Sequence, residues 1–291
     1  MPSPYLRLKS RYLLLWLLLS SVGAAAITSP PTVPASSPQP LRLGLFVWIT
    51  YVLVLMLTML QARRAGLGPA RVLGKPVDGA ALGRMGLLAV PLLGMALACT
   101  YAVFAPLSLI WPGAVHSWLI ENMPVFYDSG PPYPVIANLA GVTAVAVAAP
   151  LAEEWLFRGL LLRRWIVKWG TTSGVVGSSL VFGVLHADIV GAFLFGVAMC
   201  ALYERYGSLW PPIAVHAANN LLVTVVAVGG EHAGIFEQPT SVDEFRSAWW
   251  MLVVGLVMLG PALPWLRRVW KPIGNWSFES PTEHAIMQPP G

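Results

Sequence analysis

The stretch VIANLAGVTAVAVAAPLAEEWLFRG, Val135–Gly159, decides the fold. Its first part, Val135 to Leu151, carries no charge, and Glu153, Glu154 and Arg158 follow at once. A helix crossing the hydrocarbon core of a bilayer needs about 20 mainly apolar residues, and the run from Val135 toward Arg163 supplies them. Ionisable groups in such a segment are expensive. They persist where they face the bundle interior, pair with one another or do chemistry. The segment therefore reads as a membrane span carrying a buried polar site.

The rest of the chain has the same character. Of 291 residues, 56% are hydrophobic and 11% charged, with a mean hydropathy of +0.67. A soluble domain carries about 25% charged residues. The expected fold class is an all-α polytopic membrane protein of about eight transmembrane helices with an intramembrane active site. The expected spans run near Tyr12–Ile27, Leu43–Leu60, Gly86–Trp111, Val135–Arg163, Thr172–Ala187, Ile189–Tyr203, Leu209–Val228 and Ala248–Leu266. The first is taken as an uncleaved span, with a signal peptide as the alternative, because Gly23-Ala24-Ala25-Ala26 is a small-residue site. The chain divides into residues 1–41, the first span (or signal) and a Pro/Ser linker; 42–134, spans two and three; 135–230, the catalytic core; and 231–291, the last loop, final span and tail. The linker composition disfavours helix.

The net charge of +5 comes from Lys and Arg gathered at segment ends, a topology signal rather than a nucleic-acid surface. With the N-terminus in the cytoplasm, Arg63–Arg84, Arg163–Lys168, Arg205 and Arg267–Lys271 all fall inside. The acidic loops 112–134 and 229–247 fall outside. The expectation is a multi-pass protein of the cell membrane with both termini cytoplasmic, the lipid bilayer as its surroundings and no nucleic-acid partner. Cys99 and Cys200 both lie in apolar runs and read as packing residues. The sequence holds no P-loop, no GxGxxG and no GxSxG.

Two further polar clusters lie in apolar surroundings: Phe182-Gly183-Val184-Leu185-His186 and His216-Ala217-Ala218-Asn219-Asn220. At 1.5 Å per residue, Glu153, His186, His216 and Asn220 fall between roughly 10 and 20 Å from the nearer basic boundary. Any one cluster alone reads as structural: an ion pair, a hydrogen-bonding histidine, a packed phenylalanine. Their coincidence at one level points to a hydrolytic site. Glu154 and Arg158 stand one turn apart and are expected to pair. Glu153 points about 100° away on the helix and is the freer carboxylate. His216 and Asn220 are also one turn apart, so two donors can grip one oxygen. Pro150 interrupts the backbone hydrogen bonding beside Glu153. His116, His232 and His284 read as ordinary loop or tail residues, and Asp188 as a turn or cap.

These residues match in order and spacing the three signatures of the CAAX-protease and bacteriocin-processing (Rce1-like, abortive-infection) family, which the chain resembles over about 135 to 230. They are Glu-Glu-x-x-x-Arg (Glu153, Glu154, Arg158), Phe-x-x-x-His (Phe182, His186) and His-x-x-x-Asn (His216, Asn220). The resemblance implies peptide-bond hydrolysis within the membrane, on a membrane-associated or prenylated or leader peptide or protein substrate. The residues suggest roles: Glu153 as general base on water, His186 as its partner in holding that water, His216 and Asn220 as oxyanion donors, Glu154 and Arg158 as the fixing pair. Metal-free chemistry is expected. Zinc held by Glu153, His186 and His216 is the alternative, although the sequence has no HExxH helix. A non-catalytic membrane scaffold or immunity protein, or a proton-coupled transporter, are the other function classes considered. A transporter calls for matching broken-helix repeats, and none is visible.

Overall fold

The computed structural model of the chain describes residues 3–28, 40–121, 134–235, 237–262 and 273–278. Most of the Pro/Ser stretch, most of the loop 112–134, the boundary Arg267–Lys271 and the tail with His284 lie outside the described residues. The described residues are helical, with no strand among them. The helices are α1 (Ser10–Thr28), α2 (Pro40–Arg64), α3 (Pro69–Leu73), α4 (Gly79–Gly86), α5 (Ala89–Ile110), α6 (Pro112–Val115), α7 (Pro134–Thr143), α8 (Ala149–Glu154), α9 (Arg163–Trp169), α10 (Thr171–Val184), α11 (Ile189–Tyr206), α12 (Trp210–His232), α13 (Val242–Ser247) and α14 (Met251–Leu259). Between α7 and α9 the chain stays helical but widens into π-helix twice, at Ala144–Ala148 and Trp155–Leu162.

Among the described residues six segments are long and apolar enough to cross a membrane: Ser10–Thr28, Gly44–Arg64, Gly79–Ile110, Asn138–Trp169, Ile189–Tyr206 and Trp210–Gly230. The chain is a polytopic all-α membrane protein. Its surface agrees with that, since Leu18, Val22, Met56, Leu109, Ile110 and Val257 are among many large apolar side chains left exposed. The interior holds the charges instead: Glu154, Arg158 and His216 are buried. A bilayer solvates this inverted arrangement and water does not.

The expected fifth and eighth spans differ from the rest. α10 ends at Val184 after 14 residues, about 21 Å of rise against a core about 30 Å thick. It stops there because Asp188 caps the next helix, accepting from Gly191 N at 3.0 Å, and so forces a turn at 185–188. Gly183 lets the two helices approach at that turn: a Cβ there would lie 2.7 Å from Ile189 O. His186 thus sits at the tip of a short hairpin rather than inside a full span. The described part of the eighth segment is α14, followed by a 3-10 turn at Gly260–Ala262.

The bundle has two distinguishable ends. At one, Arg164 Nε donates to Leu8 O at 2.7 Å and Leu209 N to Leu73 O at 2.8 Å. Ser208 Oγ donates to Lys75 O at 2.8 Å, and Ser277 N to a Glu204 carboxylate oxygen at 3.2 Å. The chain before α1, the link after α2, the starts of α9 and α12 and residues 273–278 therefore share one basic end. At the other end Arg246 Nε donates to Ser108 Oγ at 3.0 Å, and Tyr101 stacks on Phe245 with centroids 4.6 Å apart. The elements that the charge pattern assigns to one side are in contact with one another.

Candidate active site

The site is built on the segment from α7 to α9, and its backbone comes first. In the π-helical stretch before Pro150, the N–H of Ala149 bonds the carbonyl of Ala144, five residues back. Continuing that register, Pro150 would donate to Val145 O, but proline has no N–H. The orphaned carbonyl is taken by a side chain from α12: Asn220 Nδ2 donates to Val145 O at 2.8 Å. Pro150 and Asn220 together hold a local widening of the helix directly ahead of the two glutamates. Single-turn π-bulges occur often at functional sites. A second widening follows them, and Gly159 within it allows close packing. A Cβ there would lie 2.7 Å from Val72 and 3.0 Å from Leu209.

Glu154 is the hub of the buried charges. Its Oε1 accepts from Arg158 Nη1 at 2.9 Å, and Glu154 and Arg158 retain only 0% and 1% side-chain exposure. The same oxygen accepts from His216 Nδ1 at 2.8 Å, across from α12. A carboxylate flanked by two donors fixes both, so Glu154 orients His216 as well as closing the expected pair with Arg158. The hydrogen of His216 is thereby on Nδ1, and Nε2 is turned toward Glu153, 3.8 Å from its Oε2. Phe182 closes the hub from α10. Its ring lies 4.5 Å under the Arg158 guanidinium and meets Phe157 edge-on at 5.2 Å. Phe195 of α11 packs edge-on against His216 at 4.8 Å. A guanidinium over an aromatic face is stabilised most where water is excluded. Phe182 therefore does more than fill space.

Glu153 faces the other way, into a cavity of about 280 Å³. Its Oε1 accepts from the hydroxyl of Tyr51 on α2. The walls are mostly apolar (Phe46, Val54, Leu156, Phe157), and His186 lies on the same cavity from the hairpin tip. His186 Nδ1 is held by Phe182 O at 2.7 Å. A carbonyl only accepts, so Nδ1 carries the hydrogen and Nε2 of the neutral ring offers a lone pair.

Glu153, Glu154, Arg158 and His216 thus form one connected group, and His186 shares the cavity with Glu153. Asn220 stands one turn beyond His216, and one of its amide hydrogens is held by Val145 O. Tyr51, Phe195 and the Val145 carbonyl were not singled out from the sequence. Tyr51 lies in an apolar run with no charge beside it, and a carbonyl has no sequence signature at all. Among the described residues no three His, Cys, Asp or Glu side chains are grouped so as to hold a metal ion; both histidines have Nδ1 on a protein acceptor, which leaves Nε2 of each available. His116 pairs with Glu121 at 3.2 Å on the surface, and Asp188 caps α11. Both cysteines are free, Cys200 in the core.

Residues 135–222 match the family described as type II CAAX prenyl endopeptidase Rce1-like. Over 101 residues the chain is 29% identical to a Bacillus subtilis (strain 168) protein named "Putative membrane peptidase YdiL". That alignment covers 34% of this chain and 41% of the relative. No solved structure matches the chain significantly. The matched stretch holds all seven residues of the three signatures and is similar to the CAAX-protease family.

Proposed function

We propose that the chain is an intramembrane endopeptidase that cleaves a membrane-associated peptide or protein by glutamate-activated water, without a metal. The observation that carries this reading is the division of labour between the adjacent glutamates. Glu154 is committed to Arg158 and His216. Glu153 keeps one oxygen turned to His216 Nε2 in a cavity that His186 also lines. A purely structural cluster has no use for a carboxylate left facing a cavity in the bilayer, where an uncompensated charge is costly.

The chemistry follows from the hydrogens. A water between Glu153 Oε2 and the His186 Nε2 lone pair donates one hydrogen to each, which turns its own lone pair toward a peptide carbonyl. Glu153 takes the proton as water attacks, then returns it to the departing amine. The developing oxyanion is stabilised by His216 as the imidazolium: its Nε2 takes a proton from solvent before the substrate binds, keeps it through the cycle and donates it as a hydrogen bond, with Glu154 balancing that charge. Asn220 contributes through the backbone it holds and through its second amide hydrogen.

The substrate class follows from the surroundings. A cavity walled by apolar side chains inside a bundle of apolar exterior suits a peptide that arrives through the bilayer, such as a prenylated C-terminus, a leader peptide or a membrane anchor. Under the positive-inside rule the basic end of the bundle faces the cytoplasm, in the cell membrane. The test is a comparison of membrane proteomes from cells with wild-type and Glu153→Gln protein. It is followed by purified protein on quenched reporters of the three substrate kinds. A precursor that accumulates only with the variant, and a reporter cleaved only by wild type, support the assignment. Identical proteomes and no reporter cleavage would leave a scaffold or immunity role in its place.

A further inference from the structure

We infer that Tyr51, outside the matched stretch, is a positioning residue for the reaction, holding Glu153 so that one chosen oxygen faces the water. The inference rests on the protease reading above. Glu153 has two oxygens, and they have different surroundings. Oε1 accepts from the Tyr51 hydroxyl, 102 positions away in the chain, while Oε2 faces His216 Nε2 at 3.8 Å. A glutamate side chain free to rotate presents either oxygen and samples several rotamers. A phenol anchored on a neighbouring helix removes that freedom.

The setting makes this more than a stray contact. α2 packs against α8 and against both π-helical stretches, so the helix carrying Tyr51 is seated on the backbone that carries Glu153. The turns of α2 on either side present Val47 and Val54 to the same cavity, so the phenol is a polar group set into an apolar wall. Its neighbour Thr50 is 7% exposed and also lines the cavity, and its hydroxyl has no hydrogen-bond partner. Leu17 and Ser21 of α1 complete that side. The reacting group is therefore shared between two parts of the chain. The 135–222 core supplies the base, and α2 sets its orientation from outside the core.

The alternative is that Tyr51 only ties α2 to α8. Tyr51→Phe in the full-length protein separates the two, because it deletes the hydroxyl and keeps the ring. A positioning role lowers kcat by about 10²-fold at unchanged KM on the reporter that wild type cleaves, since misplacing a reacting group by about 1 Å has that effect. The folded yield and melting temperature stay near wild type. A substrate-free readout accompanies it. The infrared carboxylate band that disappears in Glu153→Gln shifts in Tyr51→Phe if the phenol is its partner. An unmoved band, or a kcat equal to wild type, or a lowered melting temperature with full kcat per folded molecule, overturns the inference. If Glu153→Gln is inactive and Tyr51→Phe fully active, only this inference falls. If Glu153→Gln is itself fully active, the protease reading falls first.

Discussion

The side-chain amide of Asn220 donates to the carbonyl of Val145 at 2.8 Å, the carbonyl that Pro150 leaves without a backbone donor. This contact joins α12 to the helix of the paired glutamates and fixes the backbone on which they stand. Asn220→Ala strands a partly buried carbonyl, a loss of about 1–3 kcal/mol in stability. Its effect on rate comes with a loss of folded protein, unlike that of a residue acting only as an oxyanion donor. The decisive measurement is a double-mutant cycle. Pro150→Ala restores an N–H that can bond Val145 O, so Pro150→Ala with Asn220→Ala is expected to melt higher than Asn220→Ala alone. A coupling of about 0.5–3 kcal/mol is the range found for groups in direct contact. Strict additivity of the two variants would show that the carbonyl does not link them.

Arg158 is expected to be a folding residue. It sits buried against Glu154 Oε1 and over the Phe182 ring. Arg158→Ala leaves Glu154 charged and half-partnered, and breaking a buried pair in this way lowers stability by about 3–5 kcal/mol. Folded yield in detergent should fall sharply. Arg158→Lys should recover part of it, since the charge survives but the planar group over Phe182 does not. Glu154→Gln should resemble Arg158→Ala in yield and also release His216 from its fixed orientation. Yields near wild type for both would remove Glu154 from the centre of the network.

The parts of this site that were legible in the sequence are those with a chemical price in a membrane. Glu153, Glu154, Arg158, His186 and His216 stand out because charge and imidazole are rare at that depth, and helical spacing alone pairs Glu154 with Arg158. What spacing does not carry is the third dimension. The i, i+4 relation of His216 and Asn220 places two donors one turn apart, but it carries no sign that one Asn220 amide hydrogen is held by Val145 O on the widened backbone before Pro150. Tyr51 was invisible for a related reason: a tyrosine in an apolar helix is ordinary, and only the seating of α2 on α8 gives it Glu153. The same limit applies to the fold. Hydropathy found the apolar segments but not that α10 would stop at 14 residues, because that depends on Asp188 capping α11 and on the space at Gly183.

Topology follows from the two ends of the bundle. The contacts of Leu8, Leu73, Lys75, Arg164, Ser208, Glu204 and Ser277 put these residues at one end, and α13 packs against the far end of α5. With the basic end in the cytoplasm, a membrane-impermeant thiol reagent applied to intact cells should label Glu237→Cys and leave Lys75→Cys unlabelled until the cells are opened. Labelling of Lys75→Cys from outside would invert the orientation and place the site nearer the outer surface.

The last prediction concerns the base itself. Glu153 turns a carboxylate oxygen to the cavity, whereas Glu154 is buried with Arg158 and His216 both donating to its Oε1, so Glu153→Gln should keep the fold while Glu154→Gln does not. The loss of rate for Glu153→Gln should be at least the 10²–10⁴-fold typical of removing a general base, with a melting temperature close to wild type. The same preparation decides between water activated by glutamate and water activated by zinc. Glutamate chemistry leaves activity intact after exhaustive chelation, and elemental analysis of active protein finds no stoichiometric zinc. With zinc chemistry, activity would vanish on chelation and return with about one equivalent of added zinc, as for a site with a single open catalytic position. That second result would make Glu153, His186 and His216 ligands and displace Glu153 as a metal-free base, while the cleavage assignment would stand.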